Sequence, residues 1–249
     1  MANIEANMGL IANMGYTSIQ LSPIQEIKEG TTNKPYDNWW VLYQPISFKL
    51  NESEGHCVGT RDEFISLCET AHKYGIKVIV DVVSNHLANN GANTLSPMID
   101  PDILYDSECW HDYTTNSWDY TDRFNITQYC MAGLPDLNTG SDKVQRYVLD
   151  YLKDLIDCGA DGFRFDAAKQ IETPSDNSSF ASDFWPTFVN GAYDYASSNR
   201  GIYLYCYGEM LQNPDDGGQL HISAYTQFMS VTENVWSNDV RNFLYNGNA

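Results

Sequence analysis

The sequence lacks several features that would assign its 249 residues to particular protein classes. It has no uninterrupted apolar run of about 18 residues, so no membrane-spanning helix is predicted. Its first residues show no basic and apolar leader of the kind that directs export. Six cysteines are present, but none forms a C-x-x-C pair, which argues against a zinc or dithiol redox motif. No G-x-G-x-x-G follows a predicted strand, so dinucleotide binding has no support.

Basic residues are also scarce. Fourteen Lys and Arg stand against 33 Asp and Glu, and the formal net charge is -19. This balance argues against nucleic acid and anionic membrane surfaces as partners. It is compatible with a neutral substrate and with carboxylates that hold a hard cation. A hydrophobic content of 43% with many aromatic residues is ample for a packed core.

What is present is a repeating unit of amphipathic helix, glycine and short apolar strand. The first predicted helix carries Ile4 to Met14. The second opens with a capping box of Thr60 and Glu63, and the third ends at Gly159, where a helix C-cap favours glycine. Helices that alternate with apolar strands indicate a parallel sheet covered by helices, either a doubly wound sheet or a (β/α)8 TIM barrel. Polar side chains cluster just past the predicted strand ends, where barrel enzymes build their sites, so the barrel is favoured. These side chains are Asn85, His86, Asp166, Lys169 and Glu209.

Residues 87–138 interrupt the repeat, because they lack clear periodicity and are rich in Asn, Asp, Tyr and Trp. An irregular stretch of this length is usually functional, and we interpret it as a subdomain inserted after the third barrel strand. The predicted domains are residues 1–86 and 139–249 for the barrel and 87–138 for the insertion. About five strands are predicted, so we expect an incomplete barrel whose first strand precedes Met1 and whose last two follow Ala249. Whether Cys109 and Cys130 form a disulfide is left open by the sequence.

The stretch from Gly162 to Lys169, GFRFDAAK, organises the chain. Side chains alternate along a strand, so Arg164 and Asp166 are predicted on one face and Phe163 and Phe165 on the other. A carboxylate beside a guanidinium stays ionised, as a carboxylate nucleophile requires. A purely structural ion pair would give the same pattern.

Five segments together resemble the α-amylase superfamily, glycoside hydrolase family 13. Residues 81–86, DVVSNH, resemble its D-x-x-x-N-H signature, and residues 162–169 resemble its G-F-R-x-D-A-x-K/H signature. Residues 207–209, YGE, resemble the segment in which a glutamate ends the fifth strand. Residues 134–138, LPDLN, and 39–45, WWVLYQP, are similar to two further family segments. The five segments follow the family's order and extend over nearly the whole chain.

The resemblance implies a role for each matching residue. Asp166 matches the catalytic nucleophile, Glu209 the general acid/base, and Arg164 the arginine that positions the nucleophile. The implied sugar-binding residues are Trp39, Trp40, Tyr43, Gln44, His86 and Lys169. Simple packing of the tryptophans and a core role for the histidine remain the alternatives. We further expect burial among Tyr203, Tyr205 and Tyr207 to raise the pKa of Glu209, while Asp166 stays charged.

The resemblance also implies a structural calcium ion, held by Asn85, Asp136 and the backbone carbonyl of Gln170. Calcium prefers oxygen ligands of this kind, although Asn and Asp also cap loops. The implied partner is an α-glucan, with no nucleic acid or membrane partner, and we expect a monomer. For the full-length parent we expect secretion.

The implied activity is retaining endo-hydrolysis of α-1,4-glucosidic bonds in starch or glycogen. A related transglycosylase or debranching enzyme, and a catalytically silent glucan-binding fragment, are the rival interpretations. Neither residues 232–234 nor residues 237–239 match the N-H-D segment that carries the family's third catalytic aspartate. We therefore expect the chain by itself to be weak or inactive.

Overall fold

The computed structural model describes residues 1–28, 38–54, 57–211, 222–232 and 235–246. Within these residues five strands form one parallel sheet, in the order β1-β4-β7-β8-β9. They are β1 (Ser18–Leu21), β4 (Lys77–Val82), β7 (Gly162–Phe165), β8 (Tyr205–Gly208) and β9 (Ser230–Val231). The predicted parallel α/β sheet is confirmed.

Two small sheets accompany the main one. Strands β2 (Gln25–Ile27) and β3 (Pro45–Leu50) pair antiparallel, and β5 (Asp112–Asn116) pairs with β6 (Tyr129–Cys130). Residues 87–138 contribute no strand to the main sheet among the described residues, yet they contain short elements that periodicity did not reveal. These are α4 (Pro101–Leu104), α5 (Arg123–Gln128), β5 and β6.

The longer helices follow the predicted start and stop signals. Helix α3 (Arg61–Lys73) begins with the predicted capping box, in which Thr60 and Glu63 exchange hydrogen bonds. Helix α6 (Asp142–Cys158) ends at Gly159, whose φ of 120° lies in the left-handed region that glycine tolerates. The predicted N-terminal helix is instead divided into α1 (Ala2–Ala6) and α2 (Met8–Asn13). The remaining helices are α7 (Phe184–Arg200), α8 (Ile222–Tyr225) and α9 (Val235–Asn246).

The core lies between the sheet and its helices. Phe163 and Phe165 are fully buried, and Phe165 contacts the rings of Trp185 and Phe188 on α7. Gly162 is required by a close approach, because a Cβ at this position would overlap the Tyr205 carbonyl oxygen of β8. The core therefore holds the carboxyl ends of β4, β7 and β8 side by side.

Two further features concern the Cys109–Cys130 pair and membrane-spanning helices. Cys109 and Cys130 are separate buried thiols, so no disulfide joins them. No helix in the described part of the chain is long and apolar enough to cross a membrane.

Candidate active site

Strand register brings three charged side chains together at the carboxyl edge of the sheet. Asp81 of β4 lies opposite Arg164 of β7, and Arg164 lies opposite Tyr207 of β8. Asp166 follows β7 directly, and its N–H donates to the carbonyl of Val82. Arg164 and Asp166 share a face, as alternation predicted, and an oxygen of Asp166 lies 2.9 Å from Arg164 Nη1.

The Arg164 guanidinium contacts three carboxylates. Its Nη1 lies 2.7 and 2.6 Å from the two oxygens of Asp81, and its Nη2 lies 2.5 Å from Glu209 Oε1. The other Glu209 oxygen accepts a hydrogen bond from the N–H of Ala167. One guanidinium thus fixes the two predicted catalytic carboxyls in the same place.

The electrostatics differ from the expectation for Asp166. Burial raises the pKa of Asp166 to about 7, although the Arg164 cation opposes the shift; the negative charges of Asp81 and Glu209 add to it. Burial also raises the pKa of Asp81. The prediction that Arg164 keeps Asp166 fully ionised is wrong, because a single positive charge is shared among three acids.

Two of the three tyrosines that were expected to bury Glu209 are largely exposed. Tyr203 and Tyr205 are 84% and 51% exposed. Alternation turns Cys206 toward the helices and Tyr205 and Tyr207 toward the opposite sheet face. The polar contacts of Glu209 are with a guanidinium and a backbone N–H.

A cavity of about 600 Å³ opens over these groups. It is lined by all nine residues predicted for catalysis and sugar binding: Trp39, Trp40, Tyr43, Gln44, His86, Arg164, Asp166, Lys169 and Glu209. Residues 39–43 form a 3-10 helix that leaves both tryptophan side chains partly exposed on the cavity wall. This exposure argues against the interpretation of Trp39 and Trp40 as core packing.

His86 is fully buried at the edge of this cavity. Its Nε2 lies 3.0 Å from the carbonyl of Tyr43, so Nε2 carries the proton, and Nδ1 has no hydrogen-bond partner in the described part of the chain. Burial lowers the pKa of His86 to about 4, which keeps the ring neutral. Within the same residues, the buried amide oxygen of Gln44 also has no partner. Both are free acceptors for a hydroxyl group.

Tyr43 and Lys169 are tied to the cavity wall. The Tyr43 hydroxyl donates to Asp81 at 3.0 Å, and Lys169 Nζ donates to the carbonyl of Leu211 at 2.9 Å. The Lys169 ammonium also lies over the ring of Tyr120, and burial lowers its pKa. Tyr120, which sequence reasoning did not single out, brings residues 87–138 to the cavity.

Asp81 is the main residue that sequence reasoning left without a role. It is the first residue of the DVVSNH segment, and it is fully buried. Its position on the same sheet face as Arg164 follows from strand register, which one sequence does not reveal. The signal that the sequence did offer for Asp81 is a charged residue inside an otherwise apolar strand.

The residues predicted to hold calcium are brought together only in part. Leu137 N–H donates to the carbonyl of Asn85, and His86 forms a β-bridge with Asp136, so Asn85 and Asp136 are neighbours. Both are buried, and within the described residues Asp136 Oδ1 and Asn85 Nδ2 form no hydrogen bond of normal geometry. Burial raises the pKa of Asp136 well above its usual range. Gln170 belongs to the turn after β7, at residues 168–170.

The orphaned carboxylate oxygen of Asp136 fits a hard cation, because buried polar atoms are normally paired. Asn85 would offer its amide oxygen, since the amide nitrogen is a donor. No cluster of three His, Cys, Asp or Glu side chains suited to a metal occurs among the described residues. A cation here would therefore take amide, carboxylate and carbonyl oxygens, which is the ligand set that calcium prefers.

Comparison with known proteins gives one consistent family. A family model described as alpha amylase, catalytic domain, matches residues 2–227. An alpha-amylase of Clostridium acetobutylicum is 37% identical over 249 residues, covering 98% of this chain and 30% of its own length. An alpha-amylase of Butyrivibrio fibrisolvens is 32% identical, with 98% and 26% covered. The chain thus spans less than a third of these relatives.

Solved structures give the same result. Alpha-amylase I of Eisenia fetida superposes with a TM-score of 0.75 at 25% identity, covering 99% of this chain and 50% of that one. The alpha-amylase of Geobacillus thermoleovorans, solved in complex with acarbose, gives a TM-score of 0.69 at 23% identity, with 96% and 46% covered.

Proposed function

Because the chain belongs to the alpha-amylase family, we propose that its parent protein hydrolyses internal α-1,4-glucosidic bonds of starch or glycogen with retention of configuration. Asp166 is the nucleophile and Glu209 the general acid and base. The observation that carries the proposal is the contact of both carboxyls with the single guanidinium of Arg164, inside one cavity.

The geometry supports the retaining mechanism. Retaining glycosidases hold their two carboxyl groups about 5 Å apart, whereas inverting enzymes leave additional room for a water molecule. Asp166 and Glu209 lie 2.9 and 2.5 Å from the two terminal nitrogens of one guanidinium, so the two carboxyls are neighbours, which is compatible with the shorter separation. Asp166 attacks the anomeric carbon while Glu209 protonates the leaving oxygen. Glu209 then deprotonates the water that releases the sugar from Asp166.

The mechanism requires one proton among several acids, and the charge distribution supplies a reason for it. Asp81, Asp166 and Glu209 surround one guanidinium, so full ionisation leaves uncompensated negative charge in a buried place. Burial raises the pKa of Asp166 to about 7 within this group. The reaction uses Asp166 as the carboxylate and Glu209 as the proton donor.

Substrate recognition is proposed for the residues that line the cavity. Trp39 and Trp40 offer partly exposed aromatic faces, and Gln44 and His86 offer acceptors that have no partner. Lys169 and Tyr43 complete the predicted set. A related solved alpha-amylase was crystallised with acarbose and another with maltohexaose, which supports an α-glucan as the ligand class.

We also propose that Asn85, Asp136 and the Gln170 carbonyl hold a calcium ion. Bound there, the ion would join the end of β4 to the segment that follows β6, a structural role. The buried oxygen of Asp136, unpaired among the described residues, supports this assignment.

The domain boundaries belong to the same proposal. Residues 1–86 and 139–249 form two parts of a (β/α)8 barrel, and residues 87–138 are inserted after its third strand. Support comes from the main sheet, since the strands assigned to it lie outside 87–138. Secretion, a monomeric state and the absence of nucleic-acid or membrane partners stay predictions.

The test uses the complete reading frame that contains this chain, assayed for reducing ends released from soluble starch. We expect Asp166→Asn and Glu209→Gln each to lower kcat by at least about a thousandfold. The matched control is Asp150→Asn, the same change at an exposed position on α6. Proton NMR of the first product should show the α-anomer. Full activity of Asp166→Asn would refute the assignment, and a β-anomer would refute retention.

A further inference from the structure

A buried imidazole connects two acidic side chains outside the catalytic cavity. His111 Nδ1 lies 2.7 Å from Asp136 Oδ2, and its Nε2 lies 3.2 Å from Glu172 Oε1. The three side chains are 11%, 1% and 2% exposed. They come from the segment before β5, the segment after β6 and the loop after β7, so the contact joins three distant parts of the chain.

Glu172 is held firmly in this arrangement. It accepts hydrogen bonds from the hydroxyl of Thr139 and from the amide of Gln128 at 2.6 Å, in addition to its contact with His111. Donors on both carboxylate oxygens thus hold Glu172 in place. Glu172 provides a fixed contact for the far side of the imidazole.

Asp136 is held on one side only. His111 contacts Oδ2, whereas Oδ1 has no hydrogen-bond partner among the described residues, although Asp136 is 1% exposed. A buried carboxylate oxygen without a partner is costly. The imidazole therefore fixes the plane of the carboxylate and leaves one oxygen free, beside Asn85.

We propose that His111, braced by Glu172, is a positioning residue that aims Asp136 at a divalent cation and thereby sets the affinity for that cation. The inference rests on the calcium site in the proposed function and adds two residues to it, neither of them a ligand. Hydrogen-bond partners behind metal ligands commonly change metal affinity 10- to 100-fold when they are removed.

The chain offers a matched pair of substitutions at one position. In His111→Asn the amide nitrogen takes the place of Nδ1, so the contact with Asp136 is retained and the contact with Glu172 is lost. In His111→Gln the amide nitrogen takes the place of Nε2, so the contact with Glu172 is retained and the contact with Asp136 is lost. The two variants are both neutral amides and differ in which contact they keep.

Calcium affinity of the complete protein is measured by isothermal titration after chelation, with the urea midpoint of the calcium-free form as a check on folding. We expect His111→Asn to bind within about threefold of the unsubstituted protein, and His111→Gln to bind about 10- to 100-fold more weakly. Asp136→Asn is the reference for loss of a ligand. If His111→Gln does not fold, His111→Leu, which loses the contact with Asp136 as well as that with Glu172, replaces it, and about tenfold weaker binding is expected.

The outcomes distinguish the positioning role of His111 from the calcium site itself. Equal calcium affinity in the unsubstituted protein and in His111→Gln would overturn the positioning role, and so would equal losses in His111→Asn and His111→Gln. Absence of calcium binding in the unsubstituted protein would instead overturn the calcium site itself. None of these measurements requires catalytic activity.

Discussion

Replacing the proposed nucleophile should make the protein more stable at neutral and alkaline pH. In Asp166→Asn a neutral amide takes the place of a carboxyl whose pKa is raised from 3.8 to about 7 by burial, with the charges of Asp81 and Glu209 adding to the shift. A group of this kind binds its proton more tightly in the folded state. Its contribution to stability is therefore fully present below pH 3.8 and is lost as the pH rises through about 7.

The magnitude follows from the same two values. One pKa unit corresponds to about 1.4 kcal/mol, so a rise from 3.8 to about 7 gives at most about 4 kcal/mol. The side chain is only 10% exposed, so solvent screens little of this effect. We expect Asp166→Asn to match the unsubstituted protein near pH 4 and to exceed its free energy of unfolding by about 2–4 kcal/mol at pH 8.

The assay is urea unfolding followed by tryptophan fluorescence between pH 4 and pH 8, with the calcium concentration held constant. Asp176→Asn is the control of opposite sign. Burial opposes ionisation of Asp176, but the hydrogen bonds and charge of Arg123 outweigh it, so the pKa of Asp176 is lowered. Its stabilising contribution is present above pH 3.8 and is lost as the pH falls through its folded-state pKa.

Asp176→Asn should therefore destabilise the protein at pH 7 by about 1–3 kcal/mol, with the difference fading in acid. A stability difference for Asp166→Asn that stays constant from pH 4 to pH 8 would refute the reasoning. So would a variant that is less stable than the unsubstituted protein at pH 8.

Three further substitutions test separate features of the structure. Gly162→Ala should lower the free energy of unfolding by about 3 kcal/mol, because its Cβ overlaps a β8 carbonyl, whereas Gly140→Ala, in a roomier position, should change it little. Arg123→Lys should cost about 2 kcal/mol, since lysine cannot bridge a carboxylate and two backbone carbonyls; an unmoved urea midpoint would contradict this. Trp39→Ala should raise KM for starch about tenfold with no change in unfolding, and an equal rise in Trp118→Ala, an exposed tryptophan outside the cavity lining, would argue against a direct contact.

Local pattern predicted the elements that carry the site. Alternation placed Arg164 and Asp166 on one face of β7, and the contact between them is present. The glycine at position 159 and the capping box at Thr60 marked helix ends correctly, because both signals depend on a few neighbouring residues. Burial among tyrosines was predicted wrongly for Glu209, since alternation leaves Tyr205 on the exposed sheet face.

Features that depend on long-range register were beyond one sequence. Asp81 and Arg164 are 83 positions apart, and their pairing is set by how β4 and β7 align. His111 and Glu172 are similarly distant and meet only because residues 87–138 fold back onto the loop after β7. A single chain shows which side chains carry charge, but it does not show which of them become neighbours.

A change in the pH dependence of the proposed activity would involve all three acids around Arg164 rather than a single one. Each of the three carboxylates around Arg164 alters the other two when it is replaced, so combined substitutions there should depart from additivity. A milder change is possible at Tyr43, whose hydroxyl donates to Asp81. Altering that donor changes the charge balance among the three acids, while every reacting group stays in place.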